Sequence, residues 1–253
     1  LVSYKLGFHA EYTTSKEIMQ GISQLAEKYS APVFMHSSET KSEVEGCIER
    51  YGKSPTALFD ELGLFNYGGG AYHSVWVDDS DLEIYKKRGV WAVINAGSNC
   101  KLASGIAPVS KMMDIGINLA IGTDGPASNN ALDMFREMYL IAATQKINDC
   151  DAASTDANAI LKAATIGSAH CMGLDECDVI DEGKTADLIV IDMHRPNMQP
   201  INNITKNIVY SGSKENVKMT MINGKILYEN GEFINTDIER IYSEAQAVID
   251  RIK

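Results

Sequence analysis

A chain of 253 residues can bury a substantial core, either as one barrel-sized domain or as two smaller ones. A formal net charge of −11 argues against a polyanion such as DNA or RNA as partner, and leaves a small nucleoside-like ligand open. No apolar run approaches the roughly 20 residues of a membrane helix, no basic region precedes an apolar one at the amino terminus, and five cysteines without CxxC spacing fit free thiols in a reducing cytoplasm.

In chain order, Leu1 to His9 reads as a first strand, and Thr14-x-x-Glu17 as a capping box before a helix. Ile18, Ile22, Leu25, Ala26 and Tyr29 mark the expected buried face of that helix. Ala31-Pro32 stops it, and Val33 to His36 is a second strand. Ser42-x-x-Glu45 is expected to cap the next helix, with Val44, Cys47, Ile48 and Tyr51 facing inward. Ser54-Pro55 opens a short one, proline being well placed at the first helical position. Gly68-Gly69-Gly70 precedes a strand rather than following one, so it reads as a loop and not a phosphate cradle. Gly70 to His73 is the third strand, Asp79 to Arg88 a helix ended by Gly89, and Val90 to Ile94 the fourth strand. A polar loop is expected over Asn95 to Gly105, a helix over Pro108 to Ile115, and a fifth strand over Asn118 to Gly122. Helices are expected over Ala131 to Ile147 and Asp156 to Met172. Beyond about Cys177 the pattern becomes all-β. Ala186 to Asp192 is an apolar strand, and two further runs flank Asn223-Gly224, a strong hairpin signal. Asn230-Gly231 makes a second turn, and Thr236-x-x-Glu239 caps a last amphipathic helix.

Four of the barrel-type strands deliver a chemically capable residue to their carboxyl end: His9, His36, His73 and Asp124. That is where a parallel β/α barrel keeps its chemistry. His36-Ser37-Ser38-Glu39 adds a carboxyl group three residues after a strand-end histidine. Zinc accepts imidazole nitrogen and carboxylate oxygen, and a catalytic zinc keeps one position open for water. His36 and Asp124 as ligands, with Glu39 as proton shuttle, would make a coherent hydrolytic site. On spacing alone, a core histidine at 36 and a solvated Glu39 stay open as the alternative. His170, Cys171 and Cys177 lie in helical and loop context and read as structural.

These residues also form recognisable motifs: Gly7-Phe8-His9-Ala10, Met35-His36-Ser37-Ser38-Glu39-Thr40, Ala71-Tyr72-His73, the run from Ser98 to Pro108, the run from Gly122 to Asn130, and Glu182-Gly183-Lys184-Thr185-Ala186-Asp187-Leu188. In that order, over nearly the whole chain, the sequence resembles the amidohydrolase superfamily, and within it the 5'-methylthioadenosine/S-adenosylhomocysteine deaminases and their chlorohydrolase-like relatives. The resemblance implies that His36 and Asp124 bind zinc, with iron or manganese as substitutes. It implies that Asp124 also helps take a proton from water, that Glu39 protonates the purine ring, that His73 steadies the nucleophile and intermediate, and that His9 and Glu39 touch the substrate. Two features depart from the family pattern. The His-x-His pair of the family's first barrel strand is absent from these 253 residues, whose histidines are His9, His36, His73, His170 and His194. Where relatives read His-Asn-Pro after strand seven, this chain has Ile94-Asn95-Ala96.

The expected architecture is therefore α/β: about strands 4–8 of a TIM (β/α)8 barrel over residues 1–175, a small β domain over 176–232, and a carboxyl-terminal helix over 233–253. The expected activity is hydrolytic deamination of an adenosine-type nucleoside by a cytoplasmic homo-oligomer, as part of a complete enzyme. The alternatives are a guanine, cytosine or triazine aminohydrolase, or a non-catalytic module that pairs with a second chain.

Overall fold

In the computed structural model, which describes residues 3–252, two sheets are built from consecutive parts of the chain. Leu1 and Val2, the start of the expected first strand, lie outside the described residues. The first sheet holds β1 (Leu6–Gly7), β2 (Val33–Ser37), β3 (Gly69–His73), β4 (Trp91–Ile94) and β5 (Asn118–Ile121), all parallel and in sequential order. Right-handed crossovers that always step the same way put every connecting helix on one face and curve the sheet, as in a barrel and unlike a doubly wound sheet. The alternation of side chains confirms it. Val33, Met35, Ala71, Ala92, Ile94 and Ile121 pack into one large core against the helices, while Phe34, Val93 and Ala120, with Tyr72 and Trp91, form a second cluster on the opposite face.

The connecting helices are α1 (Lys16–Tyr29), α2 (Lys41–Tyr51), α3 (Pro55–Glu61), α4 (Asp79–Arg88), α5 (Ala96–Lys101) and α6 (Val109–Asp114). After β5 come α7 (Pro126–Asn129), α8 (Met134–Asp149), α9 (Ala157–Lys162) and α10 (Ser168–Met172), with a π turn over Ala163–Gly167 joining the last two. That continuous helix lies along the outer edge of β5, where Ser168 Oγ accepts from Ile121 N at 3.2 Å. The edge strand thus gains a side-chain partner for one of its free backbone groups.

The second sheet is antiparallel: β6 (Leu188–Ile191), β7 (Val217–Ile222), β8 (Lys225–Glu229) and β9 (Glu232–Phe233). Asn223 and Gly224 both adopt left-handed backbone between β7 and β8, as the Asn-Gly signal requires. Helix α11 (Ile204–Ser211) packs on α8 and α9, and α12 (Ile238–Ile252) closes the described chain.

Several local expectations shift. Ser15, not Thr14, caps α1, and Thr40 with Glu43 forms the box that starts α2, two residues before the expected Ser42. The buried face of α1 is Met19 and Ala26 with Ile22 beside them, while Ile18, Leu25 and Tyr29 are exposed. Ile48 of α2 is exposed as well. The expected loop over Asn95 to Gly105 contains α5, and α7 and α11 have no counterpart among the expected elements. On α12 the cap is Asp237, which accepts from Arg240 N at 3.0 Å. None of that helix's described side chains is buried, although its apolar stripe had suggested a packed helix.

Candidate active site

The β1–β2 pairing runs on past its last ladder residue. His9 O accepts from His36 N at 2.8 Å and again from His36 Nδ1 at 2.9 Å. A carbonyl only accepts, so Nδ1 carries a proton, and Nε2 is the nitrogen left outside that bond. The His36 ring centroid lies 4.6 Å from that of His9 and 5.1 Å from that of His73, the latter pair being stacked. His9 itself is exposed, its Nδ1 2.9 Å from Thr13 Oγ1.

His73 ends β3 with a left-handed backbone (φ 70°), and Ser74 follows at φ 49°. Two successive non-glycine residues there cost of order 1–3 kcal/mol each, a strain that cross-strand bonds must hold. Ser74 N donates to Ser37 O, and Val75 N and Trp76 N both donate to Ser38 O. The imidazole is 1 % exposed. Its Nδ1 donates to Asn99 Oδ1 at 2.7 Å, while Nε2 faces Glu39 Oε2 at 3.7 Å. Burial holds the His73 pKa below its ordinary value, against the Glu39 charge and the Asn99 bond, which push it up. The ring is therefore neutral at pH 7, and its approach to Glu39 is a lone-pair-bearing nitrogen beside a carboxyl group rather than an ion pair.

Glu39 rides on a turn that another carboxylate holds. Ser38 is left-handed (φ 54°), and the buried Glu43 accepts from the amides of Ser38 (2.9 Å), Glu39 (2.7 Å) and Thr40 (3.3 Å). Burial raises the Glu43 pKa, and these three amides oppose the rise. Ser104 Oγ donates to Glu39 Oε1 at 3.3 Å, while Ser104 O accepts from Trp76 Nε1 at 2.7 Å.

Asp124 lies three residues beyond β5, again left-handed (φ 57°). Its Oδ1 accepts from Gly125 N at 2.6 Å and its Oδ2 from Ser98 Oγ at 2.7 Å. Burial pushes its pKa up, but the hydroxyls of Ser128 and Ser98 and the Gly125 amide outweigh that and leave it lowered, so the group is a carboxylate at neutral pH. Behind it, Asn129 Nδ2 donates to Thr123 O (2.6 Å) and to Glu137 Oε1 (2.7 Å), and Glu137 Oε2 accepts from Gly97 N (2.8 Å). Burial raises the Glu137 pKa.

The fold thus gathers His36, Glu39 and His73, and brings Asp124 within electrostatic reach of His73. His9 adjoins through His36. Sequence reasoning missed Ser98, Asn99, Ser104, Glu43 and Glu137. The first three lie inside a quoted motif, but their partners are 26 and more residues away, and no local spacing signals them. As a test for metal, His36 fits, since its Nδ1 is committed to a carbonyl and its Nε2 is left to bind. Asp124 fits as an anionic oxygen donor. Among the described residues no group of three or more His, Cys, Asp or Glu side chains converges as a metal site, so these two donors fit as part of a larger ligand set.

Residues 1–227 match the sequence model of the amidohydrolase family. The chain belongs to the amidohydrolase family. A curated 5'-deoxyadenosine deaminase from Methanopyrus kandleri is 38% identical over 252 residues, covering 100% of this chain and 58% of that protein. A 5-methylthioadenosine/S-adenosylhomocysteine deaminase from Pyrococcus furiosus is 40% identical over 250 residues, covering 99% of this chain and 59% of its own length. This amidohydrolase chain therefore spans somewhat more than half the length of such relatives. Among solved structures, an adenosine deaminase from Xanthomonas campestris with bound zinc superposes with a TM-score of 0.94 at 35% identity, over 98% of this chain and 57% of that one. The parallel sheet with its helices is part of a β/α barrel, carried with a small antiparallel sheet and a carboxyl-terminal helix. No helix among the described residues is long and apolar enough to cross a membrane.

Proposed function

We propose that this chain forms the carboxyl-terminal share of a metal-dependent aminohydrolase that deaminates an adenosine-type nucleoside, with water consumed and ammonia released. One observation carries the reading: His36, Glu39, His73 and Asp124 stand at the carboxyl ends of β2, β3 and β5 with their orientations already fixed by partners. The names of the relatives, all at about 40% identity, support the adenosine-type substrate.

In this reading His36 and Asp124 would hold zinc, or iron or manganese, together with ligands from the remaining length of the protein. A bound zinc supplies Lewis acidity that brings the pKa of water down to about 7. Asp124, already a carboxylate, takes a proton from the attacking water. Glu39 gives its proton to the purine ring nitrogen as the carbon bearing the amino group is attacked, and recovers one from the hydroxyl then on that carbon. Asp124 passes the proton it took from water to the amino group, which leaves as ammonia. His73 Nε2, with its lone pair directed by the Asn99 bond, steadies the attacking water and then the tetrahedral centre. His9, exposed at the rim, contacts the nucleoside.

The proposal includes a division at 1–175, 176–232 and 233–253, for which the separate sheets are the support. It includes a cytoplasmic location, supported by five unpaired thiols, and a homo-oligomer, supported by the exposed Ile241, Val248 and Ile249 of α12. The test is ammonia release by the full-length protein. Adenosine, S-adenosylhomocysteine and 5'-methylthioadenosine are offered beside guanine, cytosine and a triazine, and turnover confined to the second group would overturn the reading.

A further inference from the structure

Behind the groups assigned to the chemistry lies a buried carboxylate with no part in it. We infer that Glu137 is a positioning residue, a single anchor that fixes the start of α5 and the loop after β5 relative to each other, and so sets Ser98, Asn99 and Asp124 together. This rests on the active-site reading proposed above.

Helix α8 carries Glu137 inward to full burial, 0% exposed. Its two oxygens serve two different segments. Oε2 accepts from Gly97 N at 2.8 Å, one residue before the serine that bonds Asp124 and two before the asparagine that bonds His73. Oε1 accepts from Asn129 Nδ2 at 2.7 Å, and the same amide group donates at 2.6 Å to Thr123 O, immediately before Asp124. A side chain at position 97 would run into Glu137 Oε1 and Asn129 Nδ2, so the glycine is what lets the helix start come this close.

The chemistry calls for a carboxylate. Two donors converge on Glu137, and only a carboxylate offers both of them an oxygen. Glutamine would turn its NH2 toward either Gly97 N–H or the Asn129 amide. Turning Asn129 over to compensate would aim its Oδ1 at Thr123 O. Asn129 Oδ1 is buried with no partner, so nothing else holds that amide in place. The strain of any adjustment therefore falls on Thr123-Asp124.

The test is Glu137→Gln in the full-length protein, with Leu82→Val in α4 as a control for loss of core packing alone. Amide hydrogen exchange should accelerate at Ser98 and Asn99 and at Asp124 and Gly125 together, with the β2 amides unchanged. The kcat should fall about 10- to 100-fold, with KM within about threefold, as for displacement of catalytic groups without loss of binding groups. Leu82→Val should show neither change. If Glu137→Gln does not fold, Gly97→Ala, which pushes the carboxylate aside, should give the same pattern. Exchange that changes in one segment only, or kcat no lower than that of the control, overturns the inference. A wild type inactive on every nucleoside would sink the deaminase reading instead, and the exchange result would still decide the role of Glu137.

Discussion

Asn99 Oδ1 sits 2.7 Å from His73 Nδ1, and this bond decides which nitrogen of the buried ring carries the proton. With Nδ1 committed, Nε2 is the basic atom, and it is the one turned toward Glu39 at 3.7 Å.

Replacing Asn99 with Leu, close to it in volume, should leave Nδ1–H without an acceptor in the interior. An unsatisfied buried donor costs about 1–3 kcal/mol, so thermal unfolding should fall accordingly. Turnover should drop by about one to two orders of magnitude as the ring loses its tautomer and orientation. Unchanged kcat with reduced stability would make Asn99 a packing residue only.

Ser98 Oγ holds Asp124 Oδ2 at 2.7 Å and helps keep that carboxyl group ionised. Ser98→Ala removes one charge-assisted bond, so it should weaken zinc retention by the full-length protein about tenfold or more, as for other outer partners of metal-binding carboxylates. Zinc dialysis against a graded chelator reads this directly, and equal retention would separate Ser98 from the metal site.

Glu43 gives a pH signature. Burial raises its folded-state pKa above the ordinary 4.5, so the folded state keeps the proton longer than the unfolded one. Its contribution is therefore fully present below about pH 4.5 and is lost as pH rises through the raised value. Glu43→Gln removes the titration. The stability of the wild type relative to this variant should shrink as pH rises from 4.5, measured by urea unfolding at several pH values. A constant difference would show that the three amides cancel the effect of burial.

The five strand-forming runs, the Asp79–Arg88 helix before Gly89 and the Asn223-Gly224 hairpin were legible because each is decided within a few residues. Helix α5 was not. Asn95, Gly97, Ser98 and Asn99 carry loop chemistry, and the helix stands because Glu137, 40 residues on, takes the Gly97 amide. On α1, apolar residues occupy two neighbouring stripes, and periodicity alone cannot choose between Met19 with Ala26 and Ile18 with Leu25. Thr14 and Ser15 compete for one cap, and only the Ser15 hydroxyl is placed to receive Ile18 N. The same division holds in the site. Strand ends announced His36, His73 and Asp124, while the partners that orient them lie on other elements and become visible only once the sheet brings those elements together.

The most direct measurement is ammonia release from an adenosine-type nucleoside by Glu39→Gln beside the wild type, in the full-length protein with zinc content determined on the same samples. The account predicts zinc retained and turnover lowered by about two to four orders of magnitude, the loss of a general acid and base. Turnover equal to the wild type would contradict it.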